Sequence, residues 1–308
     1  MWFSKLTYLL CVVGVLLLNS SYIFAQERCG YHRSLHWFQQ TNGCGQYAAM
    51  YPYFDNLSGD IPWVEGNVGQ DFFLFRSATG QHSLVVAMQV QFRVFNTFSH
   101  PVYTPGYLPA GYYLYFRGKN YLQIGGGHIS NGAEGNFLLP NQLGVDFKYG
   151  SFCTNYMFCK IGYLHETEAG DVHHLSGGYR FDGNILLPIF YTEEIFKKSY
   201  GQHRLALDYE WLRLPITSKL PWVNKNLSWY PGFRLEAGYI MGNLSEYHNF
   251  FNENLYRFST MMRVAFHMGT NPVIGPFVQY YYGRDYYNIR YAERLNAISV
   301  GVGIKIMM

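Results

Sequence analysis

Two short segments of the chain carry residue types that together could cleave an ester bond. His128 and Ser130 lie two residues apart, and Asn155 follows in the next segment with a strand pattern. A serine hydroxyl attacks poorly until a neighbouring base, most often a histidine, takes its proton. An asparagine that accepts from the second ring nitrogen would hold the imidazole in the tautomer that can take this proton. These residues therefore predict a nucleophile, a general base and a residue that orients the base.

The segments around these residues have the pattern of β-strands, in which alternate side chains point to opposite faces. His128 and Ser130 share a face with the apolar Ile124, and Asn155 has the opposite parity to Lys160, whose charge should face an aqueous interior. Because neighbouring strands lie about 4.8 Å apart, Asn155 could reach His128. Polar residues on a lipid-facing wall are costly unless they are used. The alternative is that His128 and Ser130 lie at the aqueous rim of the barrel, where polar side chains carry little cost in free energy.

A period of two recurs along most of the chain. Apolar residues alternate with Ser, Gly and Lys over 298–306, and with charged residues in the segments 204–211 and 257–267. Eight further strands are predicted at about 72–77, 83–95, 111–117, 120–130, 154–164, 173–181, 232–241 and 275–284. Aromatic residues cluster near the strand ends, which is typical of an all-β, transmembrane antiparallel barrel. Since such barrels usually have an even number of strands, we expect about twelve, the last one within the poorly patterned stretch 45–56.

Composition excludes several other classes of protein. Of the 308 residues, 19% are aromatic and only 14% are charged, which excludes a disordered chain. The mean hydropathy is −0.11, and only one apolar run approaches the roughly 20 residues of a membrane-spanning helix. The formal net charge is +3, without the basic stripe that nucleic-acid binding requires.

The single long apolar run lies at the N-terminus and predicts export. Lys5 precedes an apolar core from Leu9 to Leu18, which the polar residues 19–21 close, and cleavage is expected after Ala25, as in a secretory signal peptide. The alternative is an uncleaved anchor helix. We therefore divide the chain into a signal peptide (1–25), an N-terminal extension with a possible first strand (26–69) and the barrel (70–308). In an oxidising compartment, Cys29 and Cys44 could form a disulfide.

Connection lengths predict which end of the barrel faces which side. Short turns, such as 79–82 and 118–120, are expected on the periplasmic side. The longer connections are expected on the extracellular side: 96–110, 131–153, 182–202, 213–231, 242–256 and 285–296.

Two other groups of residues could be mistaken for sites. One cluster has the donors of a metal site but falls in a predicted short turn, where polar residues are expected: His165, Glu166, Glu168, Asp171, His173 and His174. Gly125, Gly126 and Gly127 do not form a phosphate loop, because no helix pattern or lysine follows them. They predict close packing or a bulge beside His128.

The motif around Ser130 resembles that of a known enzyme family. The sequence from His128 to Gly132 (HISNG) is similar to the His-x-Ser-Asn-Gly motif of outer-membrane phospholipase A, a family of twelve-stranded, calcium-dependent barrels. The sequence from Ser151 to Tyr156 resembles the Ser-x-x-x-Asn segment of that family. Smaller similarities are found in Ser99-His100-Pro101, in Tyr107-Leu108-Pro109 and in Val300–Ile304, so the resemblance spans about residues 80–308.

The resemblance implies a complete site and its cofactor. It assigns His128, Ser130 and Asn155 to a catalytic triad that hydrolyses acyl esters of phospholipids, with Gly132 contributing a backbone N–H to the oxyanion site. It also assigns a Ca²⁺ ion to three oxygen ligands: the Ala133 carbonyl, the Ser151 hydroxyl and the Ser99 carbonyl of a second subunit. A calcium-promoted homodimer in the outer membrane of a Gram-negative bacterium would follow from this ligand set.

Two other functions remain open at this point. Lipid A deacylases share a His-x-Ser-Asn motif but orient the base with a carboxylate, for which Glu134 is the nearest candidate. A non-enzymatic porin or structural barrel that has kept the motif is the second. The orienting residue separates the two enzyme classes, and hydrolysis itself separates both from a porin.

Overall fold

A computed structural model describes residues 38, 46–56, 62–95, 105–131, 153–183, 200–212, 229–241, 257–268, 273–284 and 294–305. Its strands, in chain order, are β1 (Gln46–Asn56), β2 (Pro62–Arg76), β3 (His82–Phe95), β4 (Gly106–Tyr107), β5 (Ala110–Arg117), β6 (Asn120–Ser130), β7 (Cys153–Glu166), β8 (Val172–Asp182), β9 (His203–Leu212), β10 (Trp229–Met241), β11 (Phe258–Met268), β12 (Val273–Arg284) and β13 (Arg294–Lys305).

All the pairings are antiparallel, and they close a barrel. β1 pairs with both β2 and β13, so the first and last strands meet. The two-residue β4 and the longer β5 both lie between β3 and β6, and together they occupy one position in the wall. Twelve strand positions result, which confirms the predicted transmembrane-type β-barrel of about twelve strands. Among the described residues, no helix is long and apolar enough to cross a membrane.

The strand expected within 45–56 is β1, and a bulge explains its poor pattern. The register with β13 shifts between Met50 and Tyr53, so the alternation of side chains changes phase inside the strand. β2 begins at Pro62, ten residues earlier than the alternation indicated. β1 and the first part of β2 therefore lie within 26–69, the segment assigned above to an N-terminal extension.

One of the predicted loop positions is wrong. In an up-and-down barrel, successive connections alternate between the two ends whatever their length. β9 ends at Leu212 and β10 begins at Trp229, at the same end as the turns 77–81 and 118–119, which we call the turn end. The chain therefore leaves β9 and enters β10 at the turn end, whereas the strand ends that flank the other long connections are at the opposite end, which we call the loop end.

The wall has an apolar outer face and a polar inner face, as in membrane barrels. Outward-facing Val278 and Val302 are about half exposed. Inside, Arg93 and Glu65 form a fully buried ion pair of 2.6 Å, and the hydroxyls of Tyr47 and Tyr51 each donate to Glu65 at 2.5 Å. These two tyrosines tie β1 to β2, whose backbones share four residue pairs among the described residues.

Apolar side chains pack into the lumen near the turn end. Phe38 is 1% exposed, and its ring lies edge-on to Phe116 and Tyr121, at centroid distances of 5.9 and 5.0 Å. Val85 and Leu164 complete this cluster from β3 and β7. A residue of the N-terminal extension is thus part of the barrel core.

The closed architecture predicts a simple solution test. The protein refolded in detergent should give a strand-dominated circular dichroism spectrum. It should also migrate differently on a gel before and after boiling, because a closed ladder of backbone hydrogen bonds resists detergent until it is heated. A helical spectrum would contradict the barrel.

Candidate active site

β6 and β7 pair without a register shift, and this pairing positions the predicted site. His128 lies directly opposite Asn155, and Ser130 opposite Cys153. Because the ladder is unbroken, the alternation set by the outward Ile124 and Ile161 continues to its end. His128, Ser130 and Asn155 therefore project from the same outer face of the wall, near the loop end.

His128 and Asn155 are joined by a hydrogen bond of 2.8 Å between Nδ1 and Oδ1. An amide oxygen only accepts, so the bond requires a proton on Nδ1 of the imidazole. In the neutral ring, the lone pair is then on Nε2, which is the nitrogen left to accept a proton from another group. The pair has the arrangement of a general base and the residue that orients it.

Ser130 ends β6 two residues beyond His128, on the same face. Residues so spaced lie about 6.8 Å apart along a strand, a distance that an imidazole and a serine side chain can bridge together. Tyr107 of β4 pairs with Ser130 on its other side, so Ser130 lies between Tyr107 and Cys153. Cys153 and Cys159 are both free thiols, and both have the outward parity of Asn155.

Glycines beside the site let an aromatic side chain cover the strand. A Cβ on Gly127 would lie 2.4 Å from Oη of Tyr156 and 2.7 Å from the Pro109 carbonyl oxygen, so no larger residue fits there. The same carbonyl accepts from the backbone N–H of His128 at 2.9 Å. The predicted close packing at Gly125 to Gly127 is thus confirmed, and it holds the backbone of His128.

Two residues that support the site, Tyr156 and Gly183, were missed from the sequence. Tyr156 covers Gly127, and the guanidinium of Arg180 stacks on its ring at 4.0 Å. At the other side of β7, Gly183 donates its backbone N–H to the Asn155 carbonyl at 2.8 Å. A glycine opposite an aromatic residue across two strands was the available signal for Tyr156, but it requires the strand register to be known.

Several predicted site residues lie outside the described residues. They are the calcium ligands Ser99, Ala133 and Ser151, the oxyanion donor Gly132, the alternative orienting residue Glu134, both cysteines of the predicted disulfide (Cys29 and Cys44) and the signal peptide. The implied ligands are all neutral oxygens, a donor type that Ca²⁺ accepts and that binds it more weakly than carboxylates do.

The histidines predicted to fall in a turn lie instead on the strands that flank it, His165 on β7 and His173 and His174 on β8, and they make other contacts. His174 is fully buried, and its Nε2 lies 2.8 Å from the hydroxyl of Tyr121. His165 accepts from Nζ of Lys119 at 2.7 Å, and its ring stacks on His173. Within the described part of the chain, no three His, Cys, Asp or Glu side chains are placed to hold a metal ion.

Comparisons with known proteins show the fold. No family model and no curated protein sequence matches the chain. The calcium-bound dimer of outer-membrane phospholipase from Salmonella typhi superposes with a TM-score of 0.51 at 12% identity, over 87% of this chain and 92% of that one. Outer-membrane phospholipase A from Escherichia coli gives a TM-score of 0.52 at 12% identity, over 87% and 98%. An active-site mutant of the Escherichia coli enzyme gives 0.50 at 13%, over 86% and 91%. The chain therefore has the fold of these outer-membrane barrels.

Proposed function

We propose that the protein is a calcium-dependent outer-membrane phospholipase that hydrolyses acyl ester bonds with Ser130, His128 and Asn155. The observation that carries this proposal is the 2.8 Å hydrogen bond between His128 and Asn155, on the outer wall and two residues from a serine. The outer wall is where the acyl esters of membrane lipids lie. The similar fold of known outer-membrane phospholipases supports the same function.

In this proposal each residue moves or holds a proton. His128 takes the Ser130 proton on Nε2 while Oγ attacks the ester carbonyl, and then gives it to the departing lysophospholipid oxygen. A water molecule, deprotonated by His128, then attacks the acyl carbonyl, and His128 returns this proton to Oγ of Ser130 as the fatty acid leaves. Asn155 keeps Nδ1 protonated throughout, and the backbone N–H of Gly132 donates to the oxyanion.

Calcium would be held close to this centre. Ala133 follows Ser130 by three residues and Ser151 precedes Cys153 by two, so both are tied by a short length of chain to the paired ends of β6 and β7. When bound, the cation would stabilise the negative charge that develops on the ester oxygen. The third ligand, the Ser99 carbonyl, would come from a second copy of the chain, which makes the proposed enzyme a homodimer.

Fatty-acid release from phospholipid micelles tests the proposal directly. We expect release by the wild-type protein in Ca²⁺, and none above background by Ser130→Ala. Release from lipid A alone would assign the protein to the deacylases. No release from either lipid, by folded protein in Ca²⁺, would leave a non-enzymatic barrel.

Asn155 should contribute less to the rate than the residues that react. We expect Asn155→Ala to lower kcat on the order of a hundredfold, because the imidazole loses its orientation but remains in place. Cys159→Ala, an outward position on the same strand, is the matched control and should keep full activity. If Asn155→Ala is fully active while Glu134→Ala is inactive, the carboxylate orients the base.

A further inference from the structure

The barrel contains a cavity that the proposed hydrolysis does not use. It has a volume of about 550 Å³, lies on the inner side of the wall and extends from mid-barrel towards the loop end. Its charged lining is mostly basic: Lys160, Arg180, Arg204, Arg234, Arg257 and Arg284. At the turn end, the apolar cluster around Phe38 fills the part of the lumen beside β3, β5, β6 and β7.

Fewer acidic than basic residues lie near this cavity, and most of the acidic residues form ion pairs with its arginines. Arg234 contacts both Asp208, at 2.7 Å, and Glu236, at 2.6 Å. Asp182 is buried between Arg180 and Arg204, and Glu210 is buried opposite Arg234 on the neighbouring strand. Among the described residues, the six cations of the lining thus outnumber its two carboxylates, Asp208 and Glu236, and the two that lie next to it, Asp182 and Glu210. An excess of two positive charges in a confined lumen attracts anions, since low-dielectric walls concentrate the field.

Three of the arginines converge on one residue, Tyr200. Arg204 and Arg284 donate to its carbonyl oxygen at 3.0 and 3.3 Å, and Arg180 donates to its hydroxyl at 3.3 Å. The Arg204 guanidinium also lies 4.0 Å from the centre of the Tyr200 ring. Tyr200 is buried, so it fixes three guanidinium groups at one end of the cavity.

We propose that this arginine cluster (Arg180, Arg204 and Arg284 around Tyr200) binds a small anion that carries a phosphate group. Fixed guanidinium groups offer paired N–H donors that match the geometry of phosphate oxygens, and little further entropy is lost when they bind. Two sources share this chemistry, free inorganic phosphate and the water-soluble phosphorylated head group of a lipid. The site is inside the barrel and separate from the outer wall, so the proposal does not depend on hydrolysis.

Calorimetric titration of the full-length protein in detergent tests this site. Inorganic phosphate and sn-glycerol 3-phosphate are titrated separately, each against sodium chloride of equal ionic strength. We expect saturable binding of at least one phosphate compound and none of chloride. Equal binding of both identifies the bare phosphate as the ligand, whereas binding of glycerol 3-phosphate alone points to a head group. No saturable binding of either compound overturns the proposal.

A matched pair of variants locates the binding. Arg204→Gln removes a charge-assisted donor and should weaken binding about tenfold or more. Arg263→Gln is the control, because Arg263 also faces the lumen but lies outside the cavity lining and donates to Gln279. It should bind within about twofold of wild type. If Arg204→Gln does not fold, Arg204→Lys keeps the charge without the paired donors and should still weaken binding. The proposed position of the site is refuted if the variant at position 204 binds phosphate as tightly as the wild type. It is also refuted if that variant and Arg263→Gln lose the same amount of affinity.

Discussion

Replacing Ser130 with alanine should lower the rate of phospholipid hydrolysis by at least about a thousandfold, and replacing His128 should do the same. Neither residue acts without the other, since the hydroxyl cannot attack until the imidazole takes its proton. The double variant should therefore be no slower than either single variant. Fatty-acid release at saturating Ca²⁺ measures all three rates.

Folding and a neighbouring thiol must be controlled in this experiment. All variants should keep the heat-dependent gel shift of the wild type, because residues on the outer face near the loop end contribute little to stability. Cys153 lies opposite Ser130 and could supply a substitute nucleophile, so Cys153→Ala is added to the Ser130→Ala background. Wild-type activity that is retained when both Ser130 and Cys153 are replaced by alanine would disprove the serine mechanism, whereas activity that is lost only in the double variant would identify Cys153 as a substitute nucleophile.

Removal of calcium should reduce phospholipid hydrolysis to background. Dilution of the protein until it is monomeric should have the same effect. In the proposed site the ligands would come from two copies of the chain, so one barrel alone would lack the complete site. Activity should rise with protein concentration at fixed Ca²⁺, and crosslinked dimer should appear when calcium and substrate are both present. Ser151→Ala should raise the calcium concentration needed for half-maximal activity without lowering the melting temperature, because a lost ligand weakens a sparse oxygen site.

Ser99→Ala is the internal control for the calcium site. Only the backbone carbonyl of Ser99 is invoked, so this variant should keep a calcium requirement close to that of the wild type. The two-copy site is refuted if highly diluted protein in chelator hydrolyses phospholipid as fast as concentrated, calcium-loaded protein.

Much of the fold could be predicted because a strand with one apolar face has apolar residues at every second position, and this alternation is visible in the sequence. The exceptions have physical causes. The bulge after Met50 changes the phase of β1, so its alternation is not visible in the sequence. The long connection 213–228 joins two strand ends at the turn end, because chain topology and not loop length decides which end is joined.

The site could be predicted in part, since strand parity and an unbroken register place His128 opposite Asn155. The supporting contacts could not. Tyr156 lies opposite Gly127 in the same register, but whether its ring covers the glycine depends on side-chain conformation, which strand parity does not fix. The three arginines around Tyr200 come from β8, β9 and β12, and a single sequence does not show that they meet. The residues that would hold calcium are implied by resemblance alone, and the variants above test them.

The short pairing between β1 and β2 determines where the wall of the barrel is weakest. Among the described residues, β1 shares nine backbone pairs with β13 but only four with β2. The weakest backbone seam therefore lies between two strands that follow each other in the chain, and the phenols of Tyr47 and Tyr51 reinforce it through Glu65. A wall that parts there remains tethered across the gap by the chain itself. The backbone hydrogen bonds between β1 and β2 can then re-form locally, whereas a break between the first and last strands would separate the two ends of the sheet.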